Sequence, residues 1–265
     1  MFRTLLQVSL VCGLASTALT ADEWSKDFAI SGRADLRVDA QDGAVNVRTW
    51  DRKEIHARIT TVGWRISSSE VQVVEHQTGD RVELEVRIPH RPFSVNFGIG
   101  HRSVHVELQV PTELRSDIHT GDGSITIEGV HGDTRLSTGD GHIEAYRLDG
   151  SLDAKTGDGR VRARGRFDLL NLHTGDGSIE AEIENGSRMS SEWSVRTGDG
   201  HVTLRLPSSF SADLDVHTGD GRIESDLPVS VSGLHHDHEL RGKLNAGGPP
   251  LVIRTNDGSI RLERI

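Results

Sequence analysis

From Asp117 onward, apolar and polar residues alternate with a period of two on both sides of a recurring tetrapeptide. Thr-Gly-Asp-Gly begins at Thr120, Thr138, Thr156, Thr174, Thr197 and Thr218, and a variant, Thr-Asn-Asp-Gly, begins at Thr255. Aligned on the threonine, the position two before it holds Ile118, Leu136, Ala154, Leu172, Val195, Val216 and Ile253. The position five after it holds Ile125, Ile143, Val161, Ile179, Val202, Ile223 and Ile260. The position seven after it is also apolar in every unit but one, Ser225, and the positions between are polar. Such alternation predicts two strands joined by a turn in each unit. A helix is excluded, because glycines interrupt every unit and the apolar spacing is two.

One unit cannot bury its apolar face alone; stacking the units turns each apolar column into a continuous ladder at a rise of ~4.8 Å per unit. The first three steps of the repeat are 18 residues each, and the later ones, 23, 21 and 37, are equal units carrying insertions. The predicted fold is therefore all-β, a parallel β-solenoid (β-helix) of about 18-residue repeats. An antiparallel meander would use the same turns, but like residues at like positions favour parallel stacking in register. In the column six after the threonine, Glu144, Arg162 and Glu180 would then lie on neighbouring coils and attract across strands.

Asp22 to Arg115 lacks the clean repeat. Leu36, Val38, Val45 and Val47 flank Gln41-Asp42-Gly43 in the frame of the later units, so a first rung is expected there. Val71, Val73, Val82, Leu84, Val86 and Ile88 flank Thr78-Gly79-Asp80 and read as a hairpin, and 104–110 reads as a further strand before Pro111. The expected organisation is a leader over 1–21, an N-terminal β-region over 22–115 that covers one end, and the repeat over 116–265. A loop insertion is expected at 228–250, with 251–265 as the last rung.

The leader carries Arg3, then an uncharged, mostly apolar run from Leu5 to Leu19, with Ala18 or Ala21 before the expected cut; it reads as an export signal, and a short membrane anchor is the alternative, disfavoured by the shortness of the run and by Gln7, Ser9, Ser16 and Thr17 within it. It contains Cys12, the only cysteine, so the mature chain would have no disulfide, thiol chemistry or cysteine-bound zinc. Net charge is −10, and losing Arg3 takes it to −11, which argues against nucleic acid as a partner. No second apolar run is long enough to span a bilayer. Basic residues are nearly all arginine, with lysine only at 26, 53, 155 and 243.

Gly-Asp-Gly is turn chemistry: the glycines admit positive φ and the aspartate accepts nearby backbone N–H groups. Stacking would also place Asp122, Asp140, Asp158, Asp176, Asp199, Asp220 and Asp257 in one column, where each neighbouring pair at ~4.8 Å repels by about 0.9 kcal/mol in water. Backbone donors, arginines such as Arg160 and Arg222, or bound Ca²⁺ would offset this. Those seven aspartates are thus the candidate Ca²⁺ ligands, although the units lack the spacing of the nine-residue calcium β-roll repeat. His235-His236-Asp237-His238 is a dense but loop-borne ligand cluster. His119, His173 and His217 precede the threonine on the polar face and read as surface residues.

No phosphate loop, nucleophile elbow or zinc-protease motif occurs. The alternatives are a Ca²⁺-stabilised glycan-binding module and a polysaccharide-active enzyme on a β-helix; the enzyme has less support. It is disfavoured by acids that follow the repeat rather than cluster, and by few aromatics to stack sugars: Trp24, Trp50, Trp64, Trp193 and Tyr146. No catalytic or cofactor-binding residues are assigned.

The strings TGDGSI, TGDGHI, TGDGRV and TGDGRI, each followed by an alternating strand, and the closing LVIRTNDGSIRLERI resemble the bacterial putative adhesin domain, DUF4097, over about Ala34 to Arg264. The resemblance implies a β-solenoid, export and association with the bacterial envelope. It implies an adhesin-like binding or structural role toward an envelope or surface protein or glycan, and supplies no catalytic residues.

Overall fold

The computed structural model describes residues 21–88, 102–231 and 237–265, and every regular element in them is a β-strand. The expected leader lies outside the described residues apart from Ala21. The N-terminal part contributes β1 (Ala21–Ala29), β2 (Ala34–Ala40), β3 (Ala44–Trp50), β4 (Glu54–Val62), β5 (Gln72–Thr78), β6 (Arg81–Arg87) and β7 (Ser103–Pro111). The repeat supplies β8 (Leu114–Thr120), β9 (Ile125–Glu128), β10 (His131–Thr138), β11 (Ile143–Lys155), β12 (Val161–His173), β13 (Ile179–Ile183), β14 (Trp193–Arg196) and β15 (Val202–Leu206). Then follow β16 (Ala212–Thr218), β17 (Ile223–Ser225), β18 (Val229–Val231), β19 (Glu239–Leu244), β20 (Pro250–Thr255) and β21 (Ile260–Arg264).

The strands form two stacks, one on each side of the Thr-Gly-Asp-Gly corner. Before the corner, β6, β2, β8, β10, the C-terminal half of β11, that of β12, β14, β20 and β16 pair in parallel, in that order. After it, β7, β3, β9, the N-terminal halves of β11 and β12, β13, β15, β21 and β17 do the same. Equivalent residues face each other: Ile125, Ile143, Val161, Ile179 and Val202 form one column of Cα partners. This column and its counterpart across the rung, Ile118, Leu136, Ala154, Leu172 and Val195, are buried. β11 and β12 pass from one stack to the other without a break; the bend in β11 needs Gly150 at φ 125° and Arg147 at φ 53°, and the register slips there.

The order of rungs in space is not their order in the chain. β20 and β21 lie between the rung of β14 and β15 and the rung of β16 and β17. The C-terminal segment is therefore not the last rung, as expected, but the one inside it. The segment expected to be a loop, 228–250, contains β18 and β19, and β19 runs antiparallel along β16. The opposite end repeats the device. β2 and β3 form a rung around Asp42, but they lie between β6 with β7 and β8 with β9. Antiparallel strands close this end too: β5 along β6, β4 along β7, and β1 along β4. Adding antiparallel strands of different length and sequence at each end ends the repeat, so the outer edges no longer match another copy of a rung.

Candidate functional site

The corner itself is built from hydrogen bonds between rungs. The Thr156 hydroxyl donates to the Gly141 carbonyl of the preceding rung at 2.9 Å and accepts from Gly159 N–H of its own rung at 3.3 Å. Thr138, Thr174, Thr197, Thr255 and Thr218 repeat the donation at 2.7–3.0 Å, and Thr120 donates to Gly43 at 2.9 Å. All these threonines are buried. The glycines are required for a reason other than the one expected. None of the Thr-Gly-Asp-Gly glycines has positive φ. Instead the rungs approach so closely that a Cβ on Gly159 would lie 1.9 Å from the Gly141 carbonyl oxygen.

The seven column aspartates, Asp122, Asp140, Asp158, Asp176, Asp199, Asp220 and Asp257, are all exposed on this corner. The Asp122 carboxylate leans over Gly139 of the next rung, and Asp140 over Gly157, each close enough to touch a Cβ placed there. Among the described residues no group of three or more His, Cys, Asp or Glu is arranged to hold a metal ion. His235 and His236 lie outside the described residues, and the His238 ring nitrogen Nδ1 is 2.8 Å from the Gly221 carbonyl. Trp193 is buried in the core, 5.3 Å from Phe210 between ring centroids, with its indole N–H on the Asp168 carbonyl. It presents no face to a ligand.

Both outer faces are charge lattices set by the register. On the face after the corner, Arg162 lies between Glu144 and Glu180 at 3.4 Å from each; Arg164 meets Glu182 at 3.3 Å and Arg205 meets Glu263 at 2.8 Å. On the face before it, Glu83, Arg37, Asp117, Arg135 and Asp153 succeed one another across five strands. Arg81, Asp35 and Arg115 do so two residues earlier, with the opposite signs. This checkerboard lines a groove of about 370 Å³ and is close to neutral.

One column departs from alternation. Immediately before the threonine, Lys155, His173, Arg196, Arg254 and His217 are successive Cα partners on five neighbouring strands. Lys155, His173, Arg196 and His217 are exposed and Arg254 is half-buried. Arg254 is held by the Asp215 carboxylate and carbonyl, whereas Lys155 and Arg196 make no ion pair with any described residue. Burial, then the charges of Lys155 and Arg196, push the His173 imidazole below its ordinary range. For Asp215, burial acts upward, but hydrogen bonds and charge from Arg254 and Arg241 outweigh it and hold the carboxyl low. A groove of about 490 Å³ runs between this row and the corner, lined by His173, Arg196, Arg254, Gly175, Gly198 and Asn256 among others. Of the histidines expected as surface residues, His173 and His217 lie in this row and His119 shares its register beyond Ser137; the lysine and arginines stand at the same aligned position, immediately before the threonine.

The Toastrack DUF4097 family model matches residues 102–263. Among solved structures, the chain is similar to a "putative adhesin" from Parabacteroides merdae, at 12% identity and TM-score 0.46, covering 91% of this chain and 96% of the other. It is similar to a "putative cell adhesion protein" from Clostridium sporogenes, at 12% identity and TM-score 0.43, covering 93% and 100%. A "putative lipid binding protein" from Parabacteroides distasonis shows 11% identity and TM-score 0.40 over 91% and 96%. No curated protein matches the chain. Among the described residues no helix is long and apolar enough to cross a membrane. With the family model matching well over half its length, across the rungs that carry the repeated corner, this chain belongs to the Toastrack DUF4097 family.

Proposed function

We propose that the protein is an exported, non-enzymatic binding or structural component of the cell envelope, adhesin-like in role. In this reading its rungs wind as a single parallel β-solenoid that presents flat polar faces to a surface protein or glycan. One observation carries it: in-register pairing repeats the same polar column on rung after rung, as in Glu144, Arg162 and Glu180. A surface of repeated side chains at strand spacing suits an extended partner more than a compact substrate. The corner aspartates serve as exposed turn residues in this reading, and no cofactor is required.

The test is to apply the chain from Asp22 onward to a panel of glycans, with and without Ca²⁺, following binding, product formation and the melting temperature. Saturable binding without turnover, and melting unaffected by Ca²⁺ or a chelator, is the expected result. Turnover of any glycan overturns the non-enzymatic reading, and a Ca²⁺-dependent rise in melting temperature overturns the metal-free one.

A further inference from the structure

In the cation row before the corner the charge pattern works against the fold. Like charges directly opposite each other on neighbouring strands are destabilising. The checkerboard on the same face avoids this by alternation. Yet Lys155, His173, Arg196 and Arg254 are consecutive partners at a strand spacing of ~4.8 Å. The chain is acidic overall, with a net charge of −10, so there were carboxylates to place opposite them. Only Arg254 receives one, from Asp215, and that contact comes from the far side of the row. Lys155 and Arg196 thus hold uncompensated positive charge toward solvent, with His173, whose imidazole is pushed below its ordinary range, on the rung between them.

Three residues further along each rung, on the corner, stand Asp158, Asp176, Asp199 and Asp257. They are exposed and accept no hydrogen bond from another described residue. The two parallel rows make different demands. The cations require regularly spaced anionic groups. The carboxylates require hydrogen-bond donors and would repel a chain of dense charge. Polyphosphate offers only acceptors and meets the first demand alone. A sugar polymer with carboxylates and free hydroxyls meets both.

We propose that this groove is a binding strip for an acidic polysaccharide, with its carboxylates over Lys155, Arg196 and Arg254 and its hydroxyls toward the corner aspartates. The proposal deepens the reading of the protein as a surface-binding module and rests on it. Here unpaired cations border an open groove, whereas the 370 Å³ groove over the checkerboard offers compensated charge.

Oligogalacturonate of about six residues is the probe, titrated calorimetrically at low salt into the chain from Asp22 onward. Neutral malto-oligosaccharide and polyphosphate of similar length serve as comparisons. Oligogalacturonate is expected to bind, the neutral sugar not, and polyphosphate more weakly. The double variant Lys155→Glu with Arg196→Glu should weaken binding by more than about tenfold, and binding should fall as salt rises. Arg115→Glu alters an exposed arginine of the checkerboard on the same face and should leave binding within about twofold. Circular dichroism and the melting temperature of each variant establish that it is folded. If the double variant does not fold, Arg196→Gln gives the same readout with a smaller change.

Equal or tighter binding of polyphosphate overturns the sugar assignment, and equal loss with Arg115→Glu overturns the location. Binding of some other glycan, unaffected by the double variant, overturns the strip while leaving the broader reading intact. Absence of binding to every glycan on the wider panel counts against that broader reading itself.

Discussion

At the scale of single residues, the repeat is held by a side chain that forms hydrogen bonds in two directions at once. Thr156 is about 1% exposed, and its hydroxyl satisfies a carbonyl of one rung and an N–H of its own. Valine keeps the shape and removes both bonds, leaving buried backbone groups unpartnered. Thr156→Val is therefore expected to cost about 1–3 kcal/mol, and Thr156→Ser much less. Urea unfolding checks this: the midpoint should fall for valine with the slope unchanged. The threonine was legible as a turn-flanking position, and its column was visible. That its partners are carbonyls of the preceding rung follows only from how closely the rungs stack. The same closeness explains the glycines, whose need is space and not positive φ.

At the scale of elements, polar columns add small increments along each strand. Arg162 on β12 faces Glu144 on β11 and Glu180 on β13, with side chains roughly a third exposed. Exposed pairs of this kind contribute little after screening and side-chain ordering. Arg162→Ala is expected to lower the melting temperature only slightly, a difference that should shrink in 1 M salt, where charges are screened beyond about 3 Å. Thermal melts at two salt concentrations decide the matter. A large loss that ignores salt would show that the arginine acts through packing of its stem. This triplet could be read in the sequence because its members are 18 residues apart on adjacent rungs, so chain order and spatial order agree.

At the scale of the molecule they disagree, and the ends show why that matters. β20 and β21 are inner strands: Thr255 donates to Gly200 on one side, and Gly258 accepts from Thr218 on the other. Removing 249–265 deletes a rung from inside the stack, not from its end. The rungs on either side lose a partner, and β16 with its antiparallel cover is severed from the rest. Hydrogen exchange of the truncated chain should show β14 to β19 losing protection while β8 to β12 retain it. Retained protection in β16 would mean that the outer rung re-docks on β14, which would refute the interlocked end. The mirrored arrangement of β2 and β3 at the other end rests on the same physics: strands paired on both sides are harder to peel away than a free terminal rung.

The alternation of apolar and polar residues, the repeated corner and the equal steps of 18 were enough by themselves to determine strands, their turns and parallel pairing in register. Each of these is local, or repeats at a fixed interval, and a one-residue slip would expose a whole apolar column. What the sequence leaves open is which segment lies beside which when the intervals are unequal. A segment with the repeat's own pattern fits equally well at an end or between two rungs, and only the closing of the chain around antiparallel covers selects the latter. The tertiary structure alone therefore put Arg254 directly beside Arg196, where chain order would have set His217 between them.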